Sequence, residues 1–177
     1  MTTAITSSRP SWRTMCRSML RLCSASVLAL AIAGGTAAPA GPADSVLTAI
    51  NAARAKAGCG PLRVNAKLVA AAQLHARAMA EQNFFAHAGK DGSRFSSRIA
   101  RQGYSYRSAA ENIAAGQQTA REVVTQWLQS AGHRRNILNC GMSETGIAMV
   151  YEADDRPLKG NRSPLRYYWV QVFADPA

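Results

Sequence analysis

Three short segments of this 177-residue chain hold the side chains that could do chemistry. They are Phe85-Ala86-His87, Ala110-Glu111-Asn112-Ile113, and the run from Trp127 to Leu138, which contains Ser130, His133, Arg134, Arg135 and Asn136. Two imidazoles and a carboxylate can hold a divalent metal or move protons. A zinc ion on His87, His133 and Glu111 would keep one open position, and water bound there would become a nucleophile. The plainer reading is a hydrogen-bonded His–Glu–His network that shapes a cleft. A second arrangement makes Ser130 the nucleophile, His133 its base and Glu111 the orienter. No G-x-S-x-G turn exposes that serine, so a helix-end hydroxyl is its simpler role. Arg134 and Arg135 carry planar guanidinium groups suited to phosphate or carboxylate; the bland alternative is one solvated and one salt-bridged. His75 is the third of three histidines. It shares a helical face with Leu68, Ala72 and Met79 and reads as a packed residue, not a ligand.

The elements that must position these groups follow from periodicity and punctuation. Residues 41–43 read as a short Gly/Pro linker, with Asp44 capping a first helix through Val46, Ile50, Ala53 and Ala57. Asn65 caps a second helix that ends near Asn83, and Ser93–Gln102 reads as a third, stopped by Gly103. Tyr104–Gly116 contains an extended stretch around Glu111, weakly marked because it is rich in alanine. Thr119 and Glu122 form a capping box for a fourth helix, which Gly132 ends. Trp127 and Trp169 lie on apolar faces and read as core. Thr145–Glu152 and Arg166–Ala174 read as strands. The last has Tyr168, Val170 and Val172 on one face and Tyr167, Trp169 and Phe173 on the other, so both faces must be covered. That pattern suggests a helix–sheet–helix sandwich. Glu144, at a strand start, reads as a surface residue.

The N-terminus carries a different message. Arg9, Arg13, Arg17 and Arg21 precede an apolar run from Leu22 to Ala33, and Ala38-Pro39-Ala40 fits a cleavage site. This order reads as a secretory signal peptide over residues 1–40. The run is about 12 residues, short of the roughly 20 that a spanning helix needs. Residues 44–177 then form one domain, exported to the periplasm or the medium, with a monomer expected. Removing four of the 21 basic residues and none of the 10 acidic ones leaves a net charge of +7. A basic exported domain is drawn to anionic cell-surface polymers or lipids. Its basic residues are dispersed and not interleaved with aromatics, which argues against nucleic acid. Cys59 and Cys140 remain after cleavage, an even count in an oxidising compartment; a disulfide is the simplest inference, and two buried thiols are the alternative.

Taken in order, Phe85 and His87, Glu111-Asn112-Ile113, Trp127…Ser130…Gly132-His133-Arg134…Asn136-Ile137-Leu138, Glu144-Thr145-Gly146-Ile147 and Tyr168-Trp169-Val170-Gln171 resemble the CAP superfamily, or SCP domains, in its compact bacterial secreted form. The resemblance spans about residues 44–174. It implies an α+β fold, a three-layer α/β/α sandwich with an antiparallel central sheet and a large cleft. It also implies a His/Glu tetrad able to hold a divalent metal, matched here by His87, Glu111 and His133. Ser130 stands where the second glutamate would fall, so the tetrad is incomplete. The expected ligand-binding cleft is His87, Glu111, Ser130, His133 and Arg134, with zinc or another divalent metal as the one cofactor it admits. The expected function is binding of a lipid or sterol-like ligand or an envelope component. The alternative is a hydrolase using metal-activated water.

Overall fold

A computed structural model describes residues 41–177; the signal-peptide reading falls on residues 1–40 and lies outside the described residues. Helix α1 spans Pro42–Lys56. It starts earlier than the linker reading allows: Gly41 is the N-cap, Pro42 occupies the first turn, and the Asp44 carboxylate accepts the Gly41 N–H at 3.0 Å. Proline lacks the N–H that a first turn leaves unsatisfied anyway, so a Gly-Pro pair opens this helix. Strand β1 is only Arg63–Val64. Helix α2, Ala66–Glu81, is capped by Asn65, whose side chain accepts the Lys67 N–H at 2.9 Å. Its face of Leu68, Ala72, His75 and Met79 is buried, as the spacing predicts. Helix α3 is Phe95–Arg101, and strand β2 is Tyr106–Ala115.

The fourth helical region holds a correction. Helix α4 covers Ala120–Gln129 under the Thr119–Glu122 capping box, and a separate helix α5 runs Ala131–Ile137. Gly132 and His133 therefore lie inside a helix. Ser130 breaks the run with extended dihedrals, φ −84° and ψ 123°, and serves as the last cap of α4 and the first of α5. Strands β3, Glu144–Tyr151, and β4, Tyr167–Pro176, complete the chain.

The sheet order is β1-β3-β4-β2. The three long strands pair antiparallel, while β1 adds a two-residue parallel pairing to β3. Strand β4 lies inside the sheet and is covered on both faces. Tyr168, Val170, Val172 and Ala174 join the core beneath α2 and α3; Trp169 and Phe173 join the core beneath α1, α4 and α5. Each fully buried aliphatic side chain contributes ~1.5–3 kcal/mol relative to exposure, and these two cores close an α/β/α sandwich. Strand β2 forms despite its alanines because it pairs with β4 from Tyr106↔Pro176 to Ala115↔Tyr168; a long ladder overrides a weak propensity. A Cys59–Cys140 disulfide ties the turn after α1 to the segment after α5.

Candidate functional site

The site is built on edge strand β2, and strand alternation divides its labour. Glu111 lies opposite Val172 and Asn112 opposite Gln171, so the two consecutive side chains leave the sheet on opposite faces. Glu111 enters the layer of α2 and α3; Asn112 meets α5.

On the first face, Glu111 is 5% exposed. Its Oε2 accepts Arg98 at 2.8 Å, and its Oε1 accepts His87 Nδ1 at 2.9 Å. Arg98, itself buried, also donates to the carbonyls of His87 and Ser93 at 3.0 Å each. One guanidinium thus fixes both the carboxylate and the backbone of the loop that carries His87. A carboxylate is an acceptor only, so His87 presents its hydrogen on Nδ1 and its lone pair on Nε2. The His87 side chain is 56% exposed. A carboxylate behind one ring nitrogen fixes the ring's orientation and tautomer.

On the second face, Asn112 is fully buried. Its Nδ2 donates to the His133 carbonyl at 3.2 Å, and Asn136 Nδ2 donates to Asn112 Oδ1 at 2.8 Å and to the Glu111 carbonyl at 3.4 Å. These bonds dock α5 onto the open edge of the sheet and seat His133. Among the described residues the buried His133 Nδ1 has no hydrogen-bond partner. Burial, and then the charge of nearby His87, lower the His133 pKa from its ordinary 6.5.

The remaining expected residues divide. Ser130 is half-buried and makes no hydrogen bond to His133 among the described residues. Glu111 orients His87, not His133, so the serine arrangement has no orienter. Arg134 is exposed and donates to the Leu128 carbonyl at 3.2 Å, closing the end of α4. Trp127 and Trp169 are core residues, donating to the carbonyls of Ile113 and Gln117. Glu144 is half-buried and accepts Asn65 and Tyr104, each at 2.8 Å. Sequence reasoning passed over Arg98, although an arginine beside Ile99 on a short helix's inner face is a signal that something acidic lies beneath it.

The expected metal ligands His87, Glu111 and His133 are not gathered as one donor set among the described residues. Both Glu111 oxygens are engaged, and among the described residues no three His, Cys, Asp or Glu side chains are grouped to hold an ion. The donors left over are two imidazoles, with Glu111 standing behind one of them.

His75 tests the electrostatics from beneath. It donates from Nε2 to the Ala86 carbonyl at 2.9 Å. Burial lowers its pKa below 6.5; the Glu111 charge opposes the shift and the Arg98 charge adds to it. Both His75 and His133 are thus easier to protonate in the unfolded chain. Their contribution to stability is complete above about pH 6.5 and drains as pH falls below it. Melting temperatures should be level at about pH 7–8 and drop between about pH 6.5 and 5, with a shallower drop in His75→Gln. A flat profile across that range would contradict the burial argument.

The family model described as CAP, Cysteine-rich secretory protein family, matches residues 47–173. The uncharacterised protein YkwD of Bacillus subtilis is 40% identical over 106 residues, 59% of this chain and 41% of that protein. The uncharacterised membrane protein YlbC of the same organism is 29% identical over 104 residues, 59% of this chain and 30% of that protein. The chain spans less than half the length of these curated relatives. Among solved structures, an outer surface protein of Borrelia burgdorferi superposes with a TM-score of 0.65 at 20% identity, covering 75% of this chain and 90% of that one. An extracellular SCP-domain protein of Bacillus anthracis gives 0.62 at 22% identity, over 78% of this chain and 45% of that one. These likenesses establish the fold.

Proposed function

For a chain that belongs to the cysteine-rich secretory protein family, we propose an exported binding module in which His87 and His133 receive one ligand. That ligand is an envelope component or a lipid or sterol-like molecule. The observation that carries this reading is the full engagement of Glu111 by His87 and Arg98. A hydrolase that used Glu111 as metal ligand or direct base would need that carboxylate free; here it is buried and accepts from His87 and Arg98. What it supplies is orientation, with the free His87 Nε2 turned toward solvent as a fixed acceptor. Export, in this reading, follows from the basic–apolar–small order of residues 1–40 and suits the disulfide.

The test uses the full chain, isolated bacterial envelopes, and vesicles with and without sterol. The parent should bind one of these, and His87→Ala/His133→Ala should bind it at least about tenfold more weakly, as expected for two lost hydrogen bonds. Neither protein should turn over ester or peptide substrates. Turnover that vanishes in Glu111→Gln would favour the hydrolase and defeat the proposal. Glu111→Gln alone is a poor probe of binding, because it leaves Arg98 buried without a counterion at a cost of about 3 kcal/mol or more; half-exposed His87 is the safer position. Zinc calorimetry separates metal from ligand, since heat exceeding that of the double variant would restore a metal role.

A further inference from the structure

An open hollow of about 780 Å³ lies between the end of β2 and the loop that enters β4. Its walls include Gln118, Asn161, Arg162, Ser163, Arg166 and Tyr167, and no carboxylate lines it. Among the described residues neither Arg162 nor Arg166 has an ion-pair partner for its guanidinium. Arg166 is also one of two non-glycine residues held at positive φ among the described residues, here 62°. Glycine adopts that conformation freely, and an arginine does not. The surrounding chain imposes it: the Arg166 N–H donates to Asp155 Oδ2 at 2.7 Å, and buried Asp155 is in turn gripped by the Tyr168 hydroxyl at 3.1 Å. Backbone strain held in place by a buried carboxylate is a feature of ligand clamps. The Tyr167 ring beside it is backed by Tyr151, centroids 4.9 Å apart.

We propose that this hollow binds a polyol-phosphate or sugar-phosphate polymer of the cell surface. Arg162 and Arg166 take its phosphates, for which a planar guanidinium offers paired donors. Gln118, Asn161 and Ser163 meet its hydroxyls, and the tyrosine gives its carbon face a flat wall. Two unpaired guanidinium groups in one open hollow suit a repeating anion better than a single one. Its apolar lining is Pro164 and Leu165 beside the Tyr167 ring, and Leu165 packs inward against the core, which leaves little to seat the loop in a bilayer. The site shares no residue with the imidazole pair.

The experiment titrates the full chain with a poly(glycerol phosphate) oligomer, with uncharged dextran and vesicles of anionic lipid as comparisons. Binding to the oligomer should weaken as salt rises. Arg162→Gln/Arg166→Gly should weaken it at least about 30-fold, as loss of two charge-assisted contacts requires. Arg166→Gly alone should weaken binding while holding or raising the melting temperature, because glycine relieves the left-handed strain; a merely structural arginine would not show that pairing. His87→Ala should bind the oligomer as the parent does, so this result stands or falls apart from the imidazole site. Equal affinity in the double variant, equal affinity for dextran, or binding to vesicles alone would each overturn the assignment.

Discussion

Gly146→Ala should be the most damaging single substitution in the described domain. A Cβ built on Gly146 would lie 2.0 Å from the Leu68 carbonyl carbon, 2.2 Å from Val69 N and 2.3 Å from the Leu68 oxygen. These are backbone atoms in the first turn of α2, so no rotamer change can make room. Either β3 bends or α2 lifts, and α2 carries Leu68, Ala72, His75 and Met79 into the core. Overpacking of side chains costs about 1–3 kcal/mol; a clash with backbone on both sides should exceed about 3 kcal/mol, a large share of the 5–15 kcal/mol typical of a domain. Urea denaturation should give a much lower midpoint, or no folded baseline. A midpoint matching that of the parent would show that the helix is not pressed against the strand as described.

Arg54→Met should be nearly as costly, for an opposite reason. Arg54 is 1% exposed. Its guanidinium donates to the carbonyls of Gly60 at 2.9 Å, Ile137 at 2.7 Å, Asn139 at 2.9 Å and Met142 at 2.8 Å. No carboxylate among the described residues pairs with it. The compensation comes from carbonyl dipoles, including that of Ile137 at the negative end of α5. Methionine fills similar volume but takes the donor from the buried carbonyls of Ile137 and Met142 and the part-buried one of Gly60, whereas the Asn139 carbonyl keeps the Met142 N–H. Each buried unsatisfied group costs about 1–3 kcal/mol, so a loss of at least about 3 kcal/mol and a melting temperature lower by roughly 10 °C are expected. Arg54→Lys should fall between, since an ammonium has three donors and no fork. The disulfide ties Cys140 of the same segment to Cys59. Arg54→Met combined with Cys59→Ser/Cys140→Ser should therefore depart from additivity. A methionine variant as stable as the parent would mean that desolvating the guanidinium costs as much as its four bonds return.

The Arg54 network also explains a property of the site. The segment it clamps begins at the last residue of α5, the helix that bears His133 and Asn136. Asn136 and the seat of His133 on Asn112 fix the side of that helix facing the sheet. One end and one face are thus held by separate networks, and the imidazole inherits its position from both.

Much of this was legible in order of residues alone. Apolar spacing marked α2 and α4, the asparagine and the Thr-x-x-Glu caps marked their starts, and two apolar faces on one strand required a covered sheet. Those signals are local, and the physics behind them acts within a few residues. The paired cysteines announced their bridge by count. The features that escaped are short or long-range. Helix α5 was hidden by Gly132, and two-residue β1 carries no pattern of its own. Nothing in the spacing of His87, Glu111 and His133 distinguishes one imidazole from the other as partner of the acid. The alternation of β2 sends Glu111 to the layer holding His87 and Arg98, and sends Asn112 to the layer holding His133; only pairing with β4 decides which face is which. Residue types therefore announced two rings and an acid, whereas the packed sheet determined that the acid serves one ring, because a hydrogen bond depends on positions that chain order does not contain.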